Sequence, residues 1–345
     1  MKLGTGAIGF GPKAKIDLDL LRHAESLGYD TAWTAEAYGN DAVSTAAWVL
    51  ASTTQLRVGT AIMQMPARTP AMAAMTAMTL DHLSGGRFIL GLGPSGPQVV
   101  EGWHGVPYGK PLTRTREYIA IIRQILAREK PLEFHGEHYD IPCAGGTGLG
   151  KPLKSILHGN PEIPIYTASI SPNGLRCAGE VADGVFPMMT DPDRVDEVYL
   201  PYLEEGFAKA GGGKGLDRFA IVATTTVIVA DDEEKARMPV KGHMALYIGG
   251  MGARDKNFYN DLAKRLGYEE AAVKIQDLFL DGKKMEAAAA VPDELVDACH
   301  LVGPKEKIRE RLKAWKEAGN KRWVDTLNVG SNQREALELV AEELL

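Results

Sequence analysis

The sequence predicts an α/β chain folded as a (β/α)8 barrel, and three observations carry that expectation. Strand-like apolar runs and amphipathic helical segments alternate through most of the 345 residues, a length ordinary for such a barrel with insertions. The segment Leu80-Asp-His-Leu-Ser-Gly-Gly-Arg-Phe-Ile-Leu-Gly-Leu-Gly93 reads as a helix end, a glycine stop and a strand apolar enough to be covered on both faces. Apolar residues make up 45% of the chain, enough for a large core.

The elements follow in order. Leu3–Phe10 reads as the first strand, and Asp17–Leu27 as a helix with Leu18, Leu21 and Ala24 on one face, ended by Gly28. Thr31–Ala35, Ala42–Ser52, Arg57–Met63 and Ala71–Leu83 continue the alternation, and Arg87–Leu92 is the fourth strand. In the third helix Met72, Met75 and Met78 recur at helical spacing, which predicts core packing. Thr113–Arg128 is a helix. An excursion then covers residues 130–155, with a hairpin expected over Glu133–Tyr139 and a glycine-rich stretch from Gly145 to Lys154. Ile163–Ala168, Pro172–Val181, Gly184–Phe186, Asp191–Ala210 and Phe219–Ala230 resume the pattern. Residues 231–300 read as a polar, strandless helical insertion over one end of the barrel. Pro304–Ala318, ended by Gly319, then Asp325–Val329 and Gln333–Leu345 complete eight strands, and the chain reads as one domain over 1–345.

The net charge of −6 and the lack of a basic run argue against nucleic acid as a partner. No apolar run approaches the ~18 residues that span a bilayer, and the N-terminus has no export leader, so no membrane role is expected. Cys143, Cys177 and Cys299 are scattered without metal-ligand spacing; no metal is expected, and their odd number suggests a reducing, cytoplasmic setting.

In a barrel of this kind the site lies at the C-terminal ends of the strands. That rule selects Phe10, Glu36, the run Ala61-Ile62-Met63, the loop Gly93-Pro94-Ser95-Gly96, and Ser169-Ile170-Ser171. Glu36 stands between Trp33 and Tyr38, where aromatic desolvation would suit it to proton transfer; a structural carboxylate bonded to backbone or an arginine is the equal alternative. Ser169 or Ser171 caps the helix that opens at Pro172, and the free N–H groups there make an anion site, unless the capping is all there is. Gly330-Ser331-Asn332 is a second, weaker anion site, while Gly303-Pro304-Lys305 reads as capping. His104, after Trp103, reads as a general acid or a ligand-stacking group, or as an uninvolved loop histidine. Gly91–Gly96 fits Gly-x-Gly-x-x-Gly, but the proline-containing residues after it do not open a helix as the dinucleotide motif requires.

The run Thr79–Gly93 closely resembles the signature of the luciferase-like superfamily, as do Arg114-Thr-Arg-Glu-Tyr118, Ala182-Asp-Gly184 and Val302-Gly-Pro304 with its helix ending at Ala318-Gly319. Ala35–Gly39, Pro66–Pro70 and Ser95–Gly105 are most similar to the branch that uses the deazaflavin coenzyme F420, which includes methylenetetrahydromethanopterin reductase and an F420-dependent glucose-6-phosphate dehydrogenase. The resemblance implies a (β/α)8 barrel and a cis non-proline peptide at Ala61–Ile62, backing the deazaflavin ring. It implies a ring or side-chain contact at Gly93-Pro94-Ser95, phosphate donors at Ser169 and Ile170, and an acidic residue, Glu36, beside the cofactor. The sugar-phosphate dehydrogenase carries a histidine where this chain has Ala37 and a glutamate where it has Gly96-Pro97-Gln98, so glucose 6-phosphate is not the expected substrate. Trp103, Met63, Met65, Met188 and Met189 suggest an apolar pocket for a small organic substrate. The reading is an F420-dependent oxidoreductase, with an FMN-dependent monooxygenase and a catalytically silent flavin- or deazaflavin-binding protein as alternatives. Relatives of this kind often form homodimers, and the Ala-rich second and third helices would serve as an interface if they are not spent on the core.

Overall fold

The computed structural model describes residues 1–7 and 11–345. Eight parallel strands close on themselves: β1 (Lys2–Gly6), β2 (Thr31–Thr34), β3 (Arg57–Thr60, resumed at Met63–Gln64), β4 (Phe88–Gly93), β5 (Ile165–Ala168), β6 (Gly184–Phe186), β7 (Ala220–Val229) and β8 (Thr326–Gly330). Each pairs with the next, and β8 returns to β1 through the register Gly4↔Asn328, so the expected barrel is what the chain forms. The first strand stops at Gly6, and Phe10, expected after it, lies outside the described residues.

Two cores follow from strand alternation. Outward residues pack under the helices, while inside the barrel Trp33, Ile89, Tyr166, Phe186, Ala220 and Val222 form a separate cluster. Trp33 and Phe186 meet edge-on at 5.0 Å between centroids. This plug fills the lower barrel, so a ligand has room only above it, at the C-terminal mouth, where Ala61, Ile62 and Ala168 cover the plug.

Most helices start where the sequence places them. Asp17, Asp41, Thr69 and Ser171 cap theirs with side-chain acceptors, a device worth about 1 kcal/mol each. Gly85, at φ 70°, ends the third helix as its left-handed cap. That helix corrects one expectation: Met78 is buried, but Met72 and Met75 are 51% and 53% exposed on its outer face. The expected helix 191–210 is split into Val195–Val198 and Leu200–Ala210, because Pro201 lacks the N–H that would continue the first piece. Gly319 does not end its helix, which runs Lys305–Asn320; its bare face instead receives Met1, whose Cβ would lie 2.8 Å from an added methyl.

The hairpin falls at Phe134–His135 and Asp140–Ile141. Residues 231–300 are helical as expected, but not polar throughout. Met244, Ile248, Leu262, Ile275 and Leu295 are buried and continue the outer core of the barrel. A short strand the sequence did not suggest, Leu301–Gly303, follows and pairs with the end of β7. Among the described residues no helix is long and apolar enough to cross a membrane.

Candidate active site at the barrel mouth

The end of β3 is bulged. Gly59 faces Ile89 but Met63 faces Leu92, so three residues of β3 oppose two of β4. Thr60 repairs the ladder there: its hydroxyl donates to Gly91 O (2.7 Å) and accepts from Gly91 N–H (3.0 Å). Within the bulge the Ala61–Ile62 peptide is cis, as the resemblance implied. Gly93 is glycine for contact reasons, since an added Cβ would lie 2.6 Å from Ile62 Cδ1. Ala61 and Ile62 thus form a half-buried apolar shelf. Met63 does not join it; Met63 and Met65 are buried in the outer core, which corrects their expected place in the pocket wall. Met189 is also buried, whereas Met188 is half-buried and Trp103 is exposed.

Glu36 is held by four donors. Its carboxylate accepts from Arg68 (2.6 and 3.1 Å), from Gln64 N–H (2.7 Å) and from Ala42 N–H (3.0 Å). The aromatic flank expected to desolvate it is absent: Tyr38 is exposed and Trp33 lies in the barrel plug. Arg68 also reaches Asp41 at 2.9 Å. Burial works against the Arg68 cation, but pairing with Glu36 and Asp41 holds its pKa above the ordinary arginine value.

The cluster extends to His104. Gln64 donates its amide to Ala37 O (2.5 Å), which turns Oε1 toward His104 Nε2 at 3.3 Å. An amide oxygen only accepts, so this contact assigns the proton to Nε2 and leaves Nδ1 as the histidine's free acceptor when neutral. Gln64, Trp103 and His104 line a small cavity with Tyr38 and Arg68. In the β4 loop Ser95 adopts φ 60°, a conformation L-residues rarely hold without tertiary support.

Across the mouth, Ser171 Oγ accepts from Gly174 N–H (3.1 Å) and caps the helix Pro172–Val181. Ser169 N–H is already used by Phe186 O at 3.3 Å, so this expected phosphate donor is committed to the barrel. Arg265, from the insertion, donates to Ile170 O, and its Nε and Nη1 are buried without a partner. At the weaker anion site, Ser331 Oγ instead accepts from Gln333 N–H (3.2 Å). Among the described residues no group of three or more His, Cys, Asp or Glu is arranged to hold a metal.

Arg68, Gln64 and Arg265 were not singled out from the sequence. The first two lie in or beside the quoted Pro66–Pro70 run, a usable signal. Arg265 ends the helix Phe258–Arg265 in the insertion, with nothing local to mark it.

A bulged shelf at β3, a glycine loop after β4 and a capped helix after β5 define an α/β-barrel enzyme mouth of the kind that receives a flat cofactor. The family model "Luciferase-like monooxygenase" matches residues 5–322, and the chain belongs to that family. It is 45% identical over 345 residues to the Mycobacterium tuberculosis protein named "Putative coenzyme F420-dependent oxidoreductase", covering 99% of both chains. It is 30% identical over 328 residues to 5,10-methylenetetrahydromethanopterin reductase of Archaeoglobus fulgidus, covering 93% of this chain and 92% of the relative. Among solved structures, the coenzyme F420-dependent tetrahydromethanopterin reductase of Methanopyrus kandleri superposes with a TM-score of 0.77 at 26% identity, covering 99% of this chain and 98% of that one.

Proposed function

We propose that this protein is an F420-dependent oxidoreductase that moves a hydride between the deazaflavin C5 and a small, largely apolar organic substrate, a carbonyl/alcohol or an activated alkene. One observation carries the reading: the 45% identity to the F420-named mycobacterial protein extends over 99% of both chains. The residues at the mouth fit the group. The Ala61–Ile62 shelf suits one face of a planar ring, and the unpaired nitrogens of Arg265 beside Ile170 suit an anionic tail.

When bound, the cofactor supplies the hydride chemistry. Ala61, Ile62 and the Met63 backbone would support the ring, with Gly93, Pro94 and Ser95 at its edge. Ile170 and Ser171 would offer backbone N–H groups to the phosphate, while Ser169 shapes the loop. His104 would hold or release a proton at Nδ1 opposite the substrate oxygen. Glu36 acts through Gln64 as a positioning residue, since its four bonds leave the carboxylate no role in moving a proton without breaking the cluster. The free cysteines fit the cytoplasmic setting of this reading.

A reduced-FMN monooxygenase is the second reading. It draws on the uncommitted Arg265 cation, because a terminal phosphate monoester carries more charge than the phosphodiester of F420. Separate titrations with F420 and FMN, followed by fluorescence quenching, decide between them: tight FMN binding without F420 binding overturns the proposal. Turnover with a panel of carbonyl acceptors separates an enzyme from a silent binder.

The same reading includes a homodimer through the outer faces of the second and third helices, where Trp48, Met72, Met75 and Leu83 are exposed. Met75→Asp should yield monomers by analytical ultracentrifugation; a monomeric wild type removes this part.

A further inference from the structure

Arg265 is a cation without a counter-charge. Its Nη2 donates to Ile170 O, while Nε and Nη1 are sealed from solvent and bonded to nothing. The guanidinium carbon lies 5.9 Å from the centre of the Tyr202 ring. A second arginine shares that ring: Arg176, at 4.9 Å. Arg176 is neutralised by Glu205 (2.6 and 3.1 Å) and also donates to Asn173 Oδ1 (3.0 Å). Among the described residues Arg265 has no such carboxylate. Burying an unpaired charge and two unused donors is among the costlier arrangements a protein can hold, and a bound anion is what removes the cost.

The surroundings fit an anion. Arg265 stands at the loop that opens the helix Pro172–Val181, whose first-turn N–H groups point out of the helix end. Ser169 N–H is spent on Phe186 and Gly174 N–H on Ser171, but the N–H groups of Ile170 and Ser171 carry no bond among the described residues. We infer that Arg265, carried by the helical insertion, closes a phosphate site with the Ile170 and Ser171 N–H groups, so that the insertion and not the barrel alone fixes the tail of the cofactor. The chemistry is that of a phosphate ester, whether the phosphodiester of F420 or the monoester of FMN. The inference rests on the cofactor reading above only for which ester is bound.

The experiment pairs each cofactor with a counterpart lacking the phosphate: F420 with its ribityl deazaflavin core, which also lacks the tail beyond the phosphodiester, and FMN with riboflavin, which differs by the phosphate alone, on wild type and Arg265→Gln. Glutamine keeps much of the stem and one donor for Ile170 O. The phosphate-bearing ligand should bind R265Q roughly tenfold to a hundredfold more weakly, the loss of a charge-assisted pair, with the phosphate-free ligand unchanged within about twofold. Arg265→Lys should recover part of the loss, since charge returns without the planar fork. Equal weakening of both ligands, or no weakening of either, overturns the inference. If R265Q does not fold, wild type carries the test: its preference for the phosphate-bearing ligand must exist and must shrink as salt is raised. If neither cofactor binds wild type, the functional reading fails by itself. Protection of wild type by inorganic phosphate against thermal unfolding, at matched ionic strength, then upholds the site, and its absence overturns it.

Discussion

The two rims of the barrel mouth treat charge in opposite ways. On the β2–β4 rim the charged groups of the cluster are matched: Glu36 meets Arg68 and two backbone donors, Arg68 meets Asp41, and Gln64 ties Ala37 to His104. On the β5–insertion rim Arg265 is left with two unused, dry donors. A rim that is complete without ligand behaves as scaffold, holding its one protruding imidazole in a fixed tautomer. A rim with unused donors is, on the proposal above, the receptor. The difference explains why the most conspicuous acidic residue of the sequence is not where a ligand's charge would be met.

The largest test of that contrast is Glu36→Ala. It leaves two backbone N–H groups without their acceptor and the mostly buried Arg68 guanidinium with Asp41 alone, which should cost about 3–5 kcal/mol of unfolding free energy. Urea denaturation measures it. A chain as stable as wild type would mean that the β2–β4 rim is no scaffold, and that Glu36 is free for chemistry after all.

The next effect lies on the insertion side, in a group that is complete because it is uncharged. His300 Nδ1 accepts from Thr226 N–H at 3.1 Å, and burial, with the nearby His243 adding, pushes its pKa down to about 4 from the ordinary 6.5. The folded pKa lies below the unfolded one, so the neutral form's stability is fully present above pH 6.5. It is lost as pH falls toward 4, up to about 3 kcal/mol in all. His300→Gln offers a non-titrating acceptor and should flatten stability across that window. An unchanged pH profile would move the acid sensitivity elsewhere.

Much of the fold was legible because it depends on local pattern. The helix Pro172–Val181 and the strand Gly184–Phe186 fall where a capping serine, a proline and a buried run placed them. Errors arose where a local signal has two uses. Glycine at 319 serves a close contact instead of a cap, and methionines at 72 and 75 have the spacing of a core stripe on a helix whose inner face alanines already fill. The strand ends were readable as a site, but the partners were not. Arg68 is 32 residues from Glu36, and Arg265 is 95 from Ile170. Neither spacing has a periodicity, because folding of the barrel and not local geometry brings them together.

The smallest effect separates scaffold from receptor within one residue. Ser171 caps its helix through Gly174 N–H, and Ser171→Ala should cost about 1 kcal/mol. Ser171→Asp should cost almost nothing in stability, since aspartate caps as well as serine and its charge suits the positive helix end. If that end is only a capped helix, the aspartate variant behaves as wild type throughout. If it receives a phosphate, the new carboxylate, held on Gly174 N–H beside the Ile170 and Ser171 donors, repels the ligand. Thermal unfolding of S171D should then match wild type while its affinity for F420 falls by roughly tenfold or more. Because stability and affinity move apart only if an anion belongs there, equal affinity in S171D and wild type would return this rim to plain capping and leave Arg265 without its reason.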